Sequence, residues 1–250
     1  MKTYTTPGGV IPALANLMAS QNHILVAGAT GSGKSVLLNT FIHSRLLYLP
    51  WDAQLVLIDP KRVELRPFAH TPHCIGYASE PDLIHGLLEG VVGLMESRYT
   101  EMAQKGWRKY PGRDTWVIID EFADLMTTDK KRMKPLICRI AQLGRAANIH
   151  LILATQRPTR DIIDGQIKVN MDCRIALRCP TRQDSRNIIE RGGAEELPAY
   201  GYGYILTPPG DLSLMVIPYT PDNEITARVG YWENQNKDRW GRFPKNDYGI

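Results

Sequence analysis

The chain has 250 residues, with 30 Lys and Arg against 26 Asp and Glu, a formal net charge of +4. Hydrophobic residues at 43% and charged residues at 22% sit near the globular average, which excludes a disordered chain, a collagen-like repeat and a coiled-coil rod. An excess of +4 does not by itself mark a nucleic-acid binder.

In chain order, His23–Ala27 is an apolar run read as a buried strand. A glycine-rich turn follows it, then a helix over Lys34–Leu47. Gln54–Ile58 is a second strand, ending at Asp59-Pro60-Lys61. Pro81–Gln104 is a helix with proline in its first turn. Its Leu83, Leu87, Val91, Leu94, Met95 and Met102 recur at roughly helical spacing. Trp116–Ile119 is a strand that ends in Asp120-Glu121, and Lys130–Ala147 is a helix with Leu136, Ile140 and Leu143 on one face. Ile149–Ala154 is a strand before Thr155-Gln156-Arg157-Pro158, and the arginine-bearing Cys173–Cys179 is a fifth. Continuous apolar runs suit parallel strands covered on both faces. Their alternation with helices implies an α/β domain with a mainly parallel central sheet.

The end of the chain reads differently. Pro208-Pro209-Gly210 separates Gly203–Thr207 from Leu212–Pro218, which predicts an edge hairpin. After Pro221 the sequence turns polar, with Asn234-Gln235-Asn236-Lys237-Asp238-Arg239. The expected division is one domain over 1–220 and a polar tail over 221–250, loose or packed on a neighbour. No apolar run approaches the ~20 residues needed to span a bilayer. Met1-Lys2-Thr3-Tyr4 lacks the apolar stretch of a signal peptide. Cys74, Cys138, Cys173 and Cys179 form no CxxC pair, as expected of reduced thiols in a cytoplasmic protein. Any work at a membrane would then need a membrane-anchored partner.

Gly28-Ala29-Thr30-Gly31-Ser32-Gly33-Lys34-Ser35 matches G-x-x-x-x-G-K-[ST] at every fixed position. Glycines let backbone N–H groups turn inward onto phosphate oxygens without a Cβ clash. The loop leaves a strand and opens a helix, whose N-terminus adds its positive end. These residues, with Val36 just beyond, are the expected nucleotide cradle. Lys34 is expected to reach the β- and γ-phosphates of ATP, and the Ser35 hydroxyl to ligate Mg²⁺. Asp120 is expected to hold the same Mg²⁺, usually through water. Glu121 is expected to polarise the water that attacks the γ-phosphate. A glutamate there marks the P-loop ATPases with an additional strand between the P-loop and acidic strands. Thr155-Gln156 would end that strand and set Gln156 near the γ-phosphate.

The chain at this point resembles the FtsK/SpoIIIE DNA translocases, a RecA-like group of hexameric ring motors. The resemblance rests on His23 to Ser35, on Ile58-Asp59-Pro60-Lys61 with Glu64-Leu65, and on Ile119-Asp120-Glu121-Phe122-Ala123-Asp124-Leu125-Met126. It continues through Arg145 to Pro158, Ile167-Lys168-Val169-Asn170, Asp184-Ser185-Arg186 and Gly193-Ala194-Glu195, covering about residues 10 to 207. It implies an arginine finger at Arg145, acting on the γ-phosphate of the next subunit. It also implies pore-loop contacts to double-stranded DNA from Arg157, Lys168, Arg182 and Arg186. Arg139, Arg174 and Arg178 are rival arginines, whereas Lys130-Lys131-Arg132 beside Asp129 reads as a solvated face. The large family members carry membrane-spanning and winged-helix regions, and a compact form without them is expected here. Their Gly-x-Gly-Asp-Met-Leu stretch reads Gly201-Tyr202-Gly203-Tyr204-Ile205-Leu206, without the acid. That favours compact relatives on mobile elements, such as conjugation-linked DNA pumps. The alternatives are a type VII-like protein secretion ATPase, a viral genome-packaging ATPase and a regulatory nucleotide-binding clamp.

The charge distribution supports the DNA reading. Between Arg139 and Arg191 lie ten basic residues and five acidic ones, so the basic excess sits in that quarter of the chain.

Overall fold

The computed structural model describes residues 16–48 and 52–238. Within them lie strands β1 (His23–Ala27), β2 (Ala53–Ile58), β3 (Cys74–Ala78), β4 (Asp114–Ile119), β5 (Ile149–Thr155), β6 (Cys173–Leu177), β7 (Tyr202–Thr207) and β8 (Asp211–Val216). The helices are α1 (Lys34–Arg45), α2 (Pro81–Lys105), α3 (Phe122–Thr128), α4 (Lys130–Leu143), α5 (Gly165–Asn170), α6 (Arg182–Ile189) and α7 (Asp222–Asp238). The strands form one sheet in the order β3-β2-β4-β5-β1-β6-β7-β8. Pairing is parallel from β3 through β6 and antiparallel for β6–β7 and β7–β8. The predicted hairpin is the sheet edge, and β5 lies between β1 and β4 as expected.

The alternation of side chains along each strand explains why the central strands are apolar throughout. Leu25, Val56, Val117, Leu151 and Leu153 point to one face, where α2 to α6 cover them with Leu88, Val91, Phe122, Ile137, Ile167 and Ile188. Ile24, Val26, Leu55, Leu57, Trp116, Ile118 and Ile152 point to the other, against Leu37, Leu38 and Phe41 of α1. Two buried faces demand two apolar registers, so no polar alternation remains to be read.

Three features depart from the sequence reading. β3 had no predicted counterpart, because its Cys-Ile-Gly-Tyr-Ala run is half-buried and carries a glycine. Gly76 is there because a Cβ would lie 2.5 Å from Leu87 Cδ1 of α2. The helix predicted through Ala147 stops at Leu143, and Phe122–Thr128 is a helix of its own. The polar tail is helical over Asp222–Asp238, and Ile225, Val229 and Trp232 are buried on the α1 face of the sheet. Spacings of four and three set these three on one side of a helix, and the polar residues around them mask that pattern. Trp232 Nε1 donates to the Leu46 carbonyl at 2.7 Å. Residues 239–250 of the predicted tail lie outside the described residues.

Candidate functional site: a phosphate cradle facing two acids

The cradle leaves β1 at its C-terminal end, where β1 is flanked by β5 on one side and β6 on the other. β2 and β6 lie on opposite sides of β1, so the crevice is where the strand order reverses, the position that favours ligands in open α/β sheets. The cradle is pinned from both sides. Gly28 N donates to the Thr155 carbonyl at 3.3 Å, and Ala29 N to the Arg178 carbonyl at 2.8 Å. Gly28 allows the close approach: a Cβ there would stand 2.6 Å from Leu177 Cβ and from Ser32 Oγ. Gly31 and Gly33 take φ of 75° and 96°, the left-handed region open to glycine.

Helix α1 begins with no side-chain cap and no acid in its first turn. Its first N–H groups are therefore left for an external anion. Ser32 Oγ is buried within the loop with no hydrogen-bond partner among the described residues. An orphaned donor inside a glycine cradle fits a phosphate oxygen. Val36, in the first turn of α1, packs beside the core.

Lys34 is 4% exposed and points across the cradle to β4. Its Nζ donates to the Asp120 carbonyl at 2.7 Å and makes an ion pair with Asp120 Oδ1. Burial pushes the Asp120 carboxyl above its usual range, and the Lys34 ammonium opposes that shift. Ser35 and Asp120 supply a hydroxyl and a carboxylate, the hard-oxygen donors that Mg²⁺ takes. Among the described residues no group of three or more His, Cys, Asp or Glu forms a metal cage.

Glu121 is 2% exposed, and both its carboxylate oxygens have partners. Its Oε1 accepts from Thr155 Oγ1 at 2.8 Å and from Gln156 N at 3.0 Å, and its Oε2 pairs with Lys61 Nζ at 3.1 Å. Thr155 Oγ1 also accepts from Arg157 N at 3.0 Å. Gln156 Oε1 in turn accepts from Thr30 Oγ1 of the cradle at 2.8 Å. The cradle, both acids and the end of β5 thus form one connected cluster. Lys61 and Thr155 belong to it although neither was singled out as a site residue. Asp59-Pro60-Lys61 at a strand end was the visible signal for the first, and the adjacency of Thr155 to Gln156 for the second.

Arg145 is exposed and stands apart from this cluster. It precedes β5, while the cradle lies beside the far end of that strand. Seven residues of strand separate the two edges by about 20 Å. Its turn is hydrogen-bonded: Gly144 N donates to the Ile140 carbonyl at 2.7 Å, and Ile149 N to the Gly144 carbonyl at 2.9 Å. A Cβ on Gly144 would stand 2.5 Å from the Ile149 carbonyl oxygen. Two rivals are consumed by ion pairs, Arg139 with Glu96 at 2.7 Å and Arg174 with Glu190 at 2.6 Å. Arg178 is exposed beside the cradle.

The basic residues lie past the C-terminal ends of β5 and β6. Arg157 and Arg160 are exposed on the loop after β5, Lys168 is half-buried on α5, and Arg182 and Arg186 are exposed on α6. Partial burial, then the nearby Arg174 and Arg160, push the Lys168 ammonium below its usual range, whereas Glu190 opposes this. Arg182 approaches Glu195 only at 4.0 Å. The Arg157 loop is tied to α6 by Asn187 Nδ2, which donates to the Pro158 carbonyl at 2.9 Å. Arg132 pairs with Asp82 at 2.9 Å and Asp129 at 3.2 Å, in line with a solvated face.

A glycine cradle at the head of a helix, two acids on the next-but-one strand and a polar strand end between them define a P-loop ATPase. The sequence model of the FtsK/SpoIIIE family matches residues 9–115 and 112–160, and the chain belongs to that family. It is 39% identical, over 91% of its length, to the DNA translocase FtsK of Tropheryma whipplei (strain TW08/27). With the DNA translocase FtsK of Vibrio vulnificus (strain CMCP6) the figure is 35% over 91%. The chain spans 34% of the first relative and 27% of the second. Among solved structures it is similar to the pCW3 conjugation coupling protein TcpA in its monomer form with ATPgS, at 26% identity and TM-score 0.75. That match covers 84% of this chain and 64% of TcpA. The cytoplasmic domain of the type VII secretion ATPase EccC from Thermomonospora curvata shares the fold, at 23% identity and TM-score 0.74, over 84% of this chain and 28% of that one. Among the described residues no helix is long and apolar enough to cross a membrane.

Proposed function

We propose that the chain is the motor of a hexameric ring that hydrolyses ATP and translocates double-stranded DNA in conjugative or other mobile-element transfer. One observation carries the reading. The Thr155 hydroxyl donates to Glu121 and accepts from the backbone of Arg157, so a single side chain joins the proposed general base to the proposed DNA loop. The likeness to a conjugation coupling protein and to DNA translocases supports the choice of DNA over a secreted peptide.

In this reading the cradle residues 28–36 hold the triphosphate, and Lys34 exchanges Asp120 for the β- and γ-phosphate oxygens. Mg²⁺, held by Ser35 and Asp120, would neutralise charge on the phosphates. Glu121 takes a proton from the attacking water, and Gln156 links the γ-phosphate position to Thr30 and the cradle. Arg145 lies too far from its own cradle to act there, so it serves the neighbouring subunit and makes hydrolysis depend on assembly. Arg157, Lys168, Arg182 and Arg186 grip phosphates without reading bases, as a motor that moves along any sequence must. A cytoplasmic site of action with a membrane-anchored partner completes the reading.

The test is steady-state ATP hydrolysis with and without duplex DNA at low salt. Several-fold stimulation by duplex is expected, weakening steeply as salt rises. An unchanged rate, or stimulation by a signal peptide instead, overturns the proposal.

A further inference from the structure

Lys61 makes the ion pair on Glu121 Oε2, and the fold builds that contact deliberately. Ile58 pairs with Ile119 across β2 and β4, so the turn after β2 and the Asp120-Glu121 step leave adjacent strands at one edge. Asp59, fully buried, closes the turn twice. Its carbonyl accepts from Arg62 N at 3.0 Å, and its Oδ2 accepts from Leu65 N at 3.0 Å. Pro60 restricts the backbone before Lys61. Arg62 takes a φ of 61°, a left-handed conformation that a residue with a side chain holds only where its surroundings impose it. The Arg62 guanidinium is paired with Glu80 at the start of α2. Lys61 is thus presented to Glu121 from a turn anchored on both sides.

The acceptor count on Glu121 shows what this does. A carboxylate oxygen has two lone-pair sites. Those of Oε1 are taken by the Thr155 hydroxyl and the Gln156 N–H. Oε2 accepts from Lys61 Nζ on one lone pair, and its other lone pair is the one left to receive a proton from water, so Lys61 fixes the orientation of the atom that would act as base. The Lys61 side chain is 42% exposed while Glu121 is 2% exposed, so the ammonium can withdraw into water but the carboxylate cannot. On the other side, Thr155 Oγ1 accepts from Arg157 N, so the backbone of the Arg157 loop is one hydrogen bond removed from the Oε1 contacts, and a shift of that loop would act on them.

We propose that Lys61 is a positioning residue that restrains Glu121, holding Oε2 in one orientation until the Arg157 loop is engaged. This rests on Glu121 being the general base. ATP hydrolysis by the full chain is measured with and without duplex DNA for wild type, Lys61→Gln, Lys61→Arg and Glu121→Gln, alongside thermal midpoints. Lys61→Gln is expected to raise DNA-free kcat about tenfold, the rate equivalent of one charge-assisted hydrogen bond, with KM for ATP little changed. Lys61→Arg, which still donates to Oε2, is expected to keep the DNA-free rate near wild type. The double variant Lys61→Gln with Glu121→Gln is expected to be as inactive as Glu121→Gln. A DNA-free kcat that stays level or falls in Lys61→Gln, at an unchanged thermal midpoint, overturns the restraint while Glu121→Gln remains inactive. Wild-type turnover in Glu121→Gln overturns instead the general-base reading beneath it. Lys61→Met, which keeps the apolar stem, repeats the reading if Lys61→Gln lowers the midpoint.

Discussion

Thr30 and Gln156 are joined across the mouth of the cradle, the Thr30 hydroxyl donating to Gln156 Oε1 at 2.8 Å. They are 126 residues apart, and the bond exists because β5 is inserted beside β1. It makes the side chain of Gln156 a direct neighbour of the loop proposed to hold the phosphates. Gln156→Ala is expected to lower kcat by about 10- to 100-fold, while ATP affinity changes by only a few-fold. Steady-state hydrolysis and equilibrium titration with a non-hydrolysable analogue check the two halves.

Glu121→Gln removes the negative charge but preserves an oxygen that can accept from Thr155 and Gln156. Hydrolysis is expected to fall by about 10²- to 10⁴-fold, with nucleotide still bound. A variant that binds ATP and turns it over at the wild-type rate would remove Glu121 from the mechanism.

Arg145 and Lys34 stand at opposite edges of the same sheet. Arg145→Ala and Lys34→Ala should each be inactive alone. Mixed, they should recover part of the activity, since an intact arginine can then face an intact cradle. Hydrolysis measured across mixing ratios decides this, and no recovery counts against action between subunits.

His23 gives the stability a defined pH dependence. It is buried, its Nδ1 accepts from Leu151 N at 3.1 Å, and burial together with nearby His150 lowers its pKa to about 4. The unfolded chain binds this proton near pH 6.5 and the folded chain does not, so stability is full above that value and is lost as pH falls toward about 4. Between pH 7 and pH 5 the loss from this group is about 2 kcal/mol. Urea midpoints at the two pH values should show it, and His23→Gln should flatten the difference.

Trp232 tests whether α7 belongs to the core. It is 6% exposed, its indole N–H is bonded to Leu46, and its ring meets His73 edge-on at 4.8 Å. Trp232→Ala should cost about 3 kcal/mol or more. A thermal midpoint within a degree of wild type would show that the helix adds little.

Much of this protein was legible in its sequence because the signals are local. The strand-turn-helix around Gly28 to Ser35 is written in glycine, lysine and an apolar run, and the backbone conformations at Gly31 and Gly33 follow from the residue types. Asp120-Glu121 and Thr155-Gln156 stand out as polar residues ending buried strands, and the hairpin at Pro208-Pro209-Gly210 as a turn. β3 and α7 were hidden, one by a half-buried pattern with a glycine and the other by polar residues around three buried apolar ones.

Which polar groups meet was decided only by the tertiary structure. Nothing in the spacing of Lys61, Glu121 and Thr155 says that they share one carboxylate. That follows from β2, β4 and β5 lying side by side in parallel, which brings their C-terminal ends to one edge. The same ordering separates Arg145 from its own cradle and binds Arg139 and Arg174 into ion pairs. Local backbone preference and apolar periodicity act over a few residues and can be read along the chain. Ion pairs and hydrogen bonds between distant side chains depend on strand order and register, which the packing of the whole sheet sets.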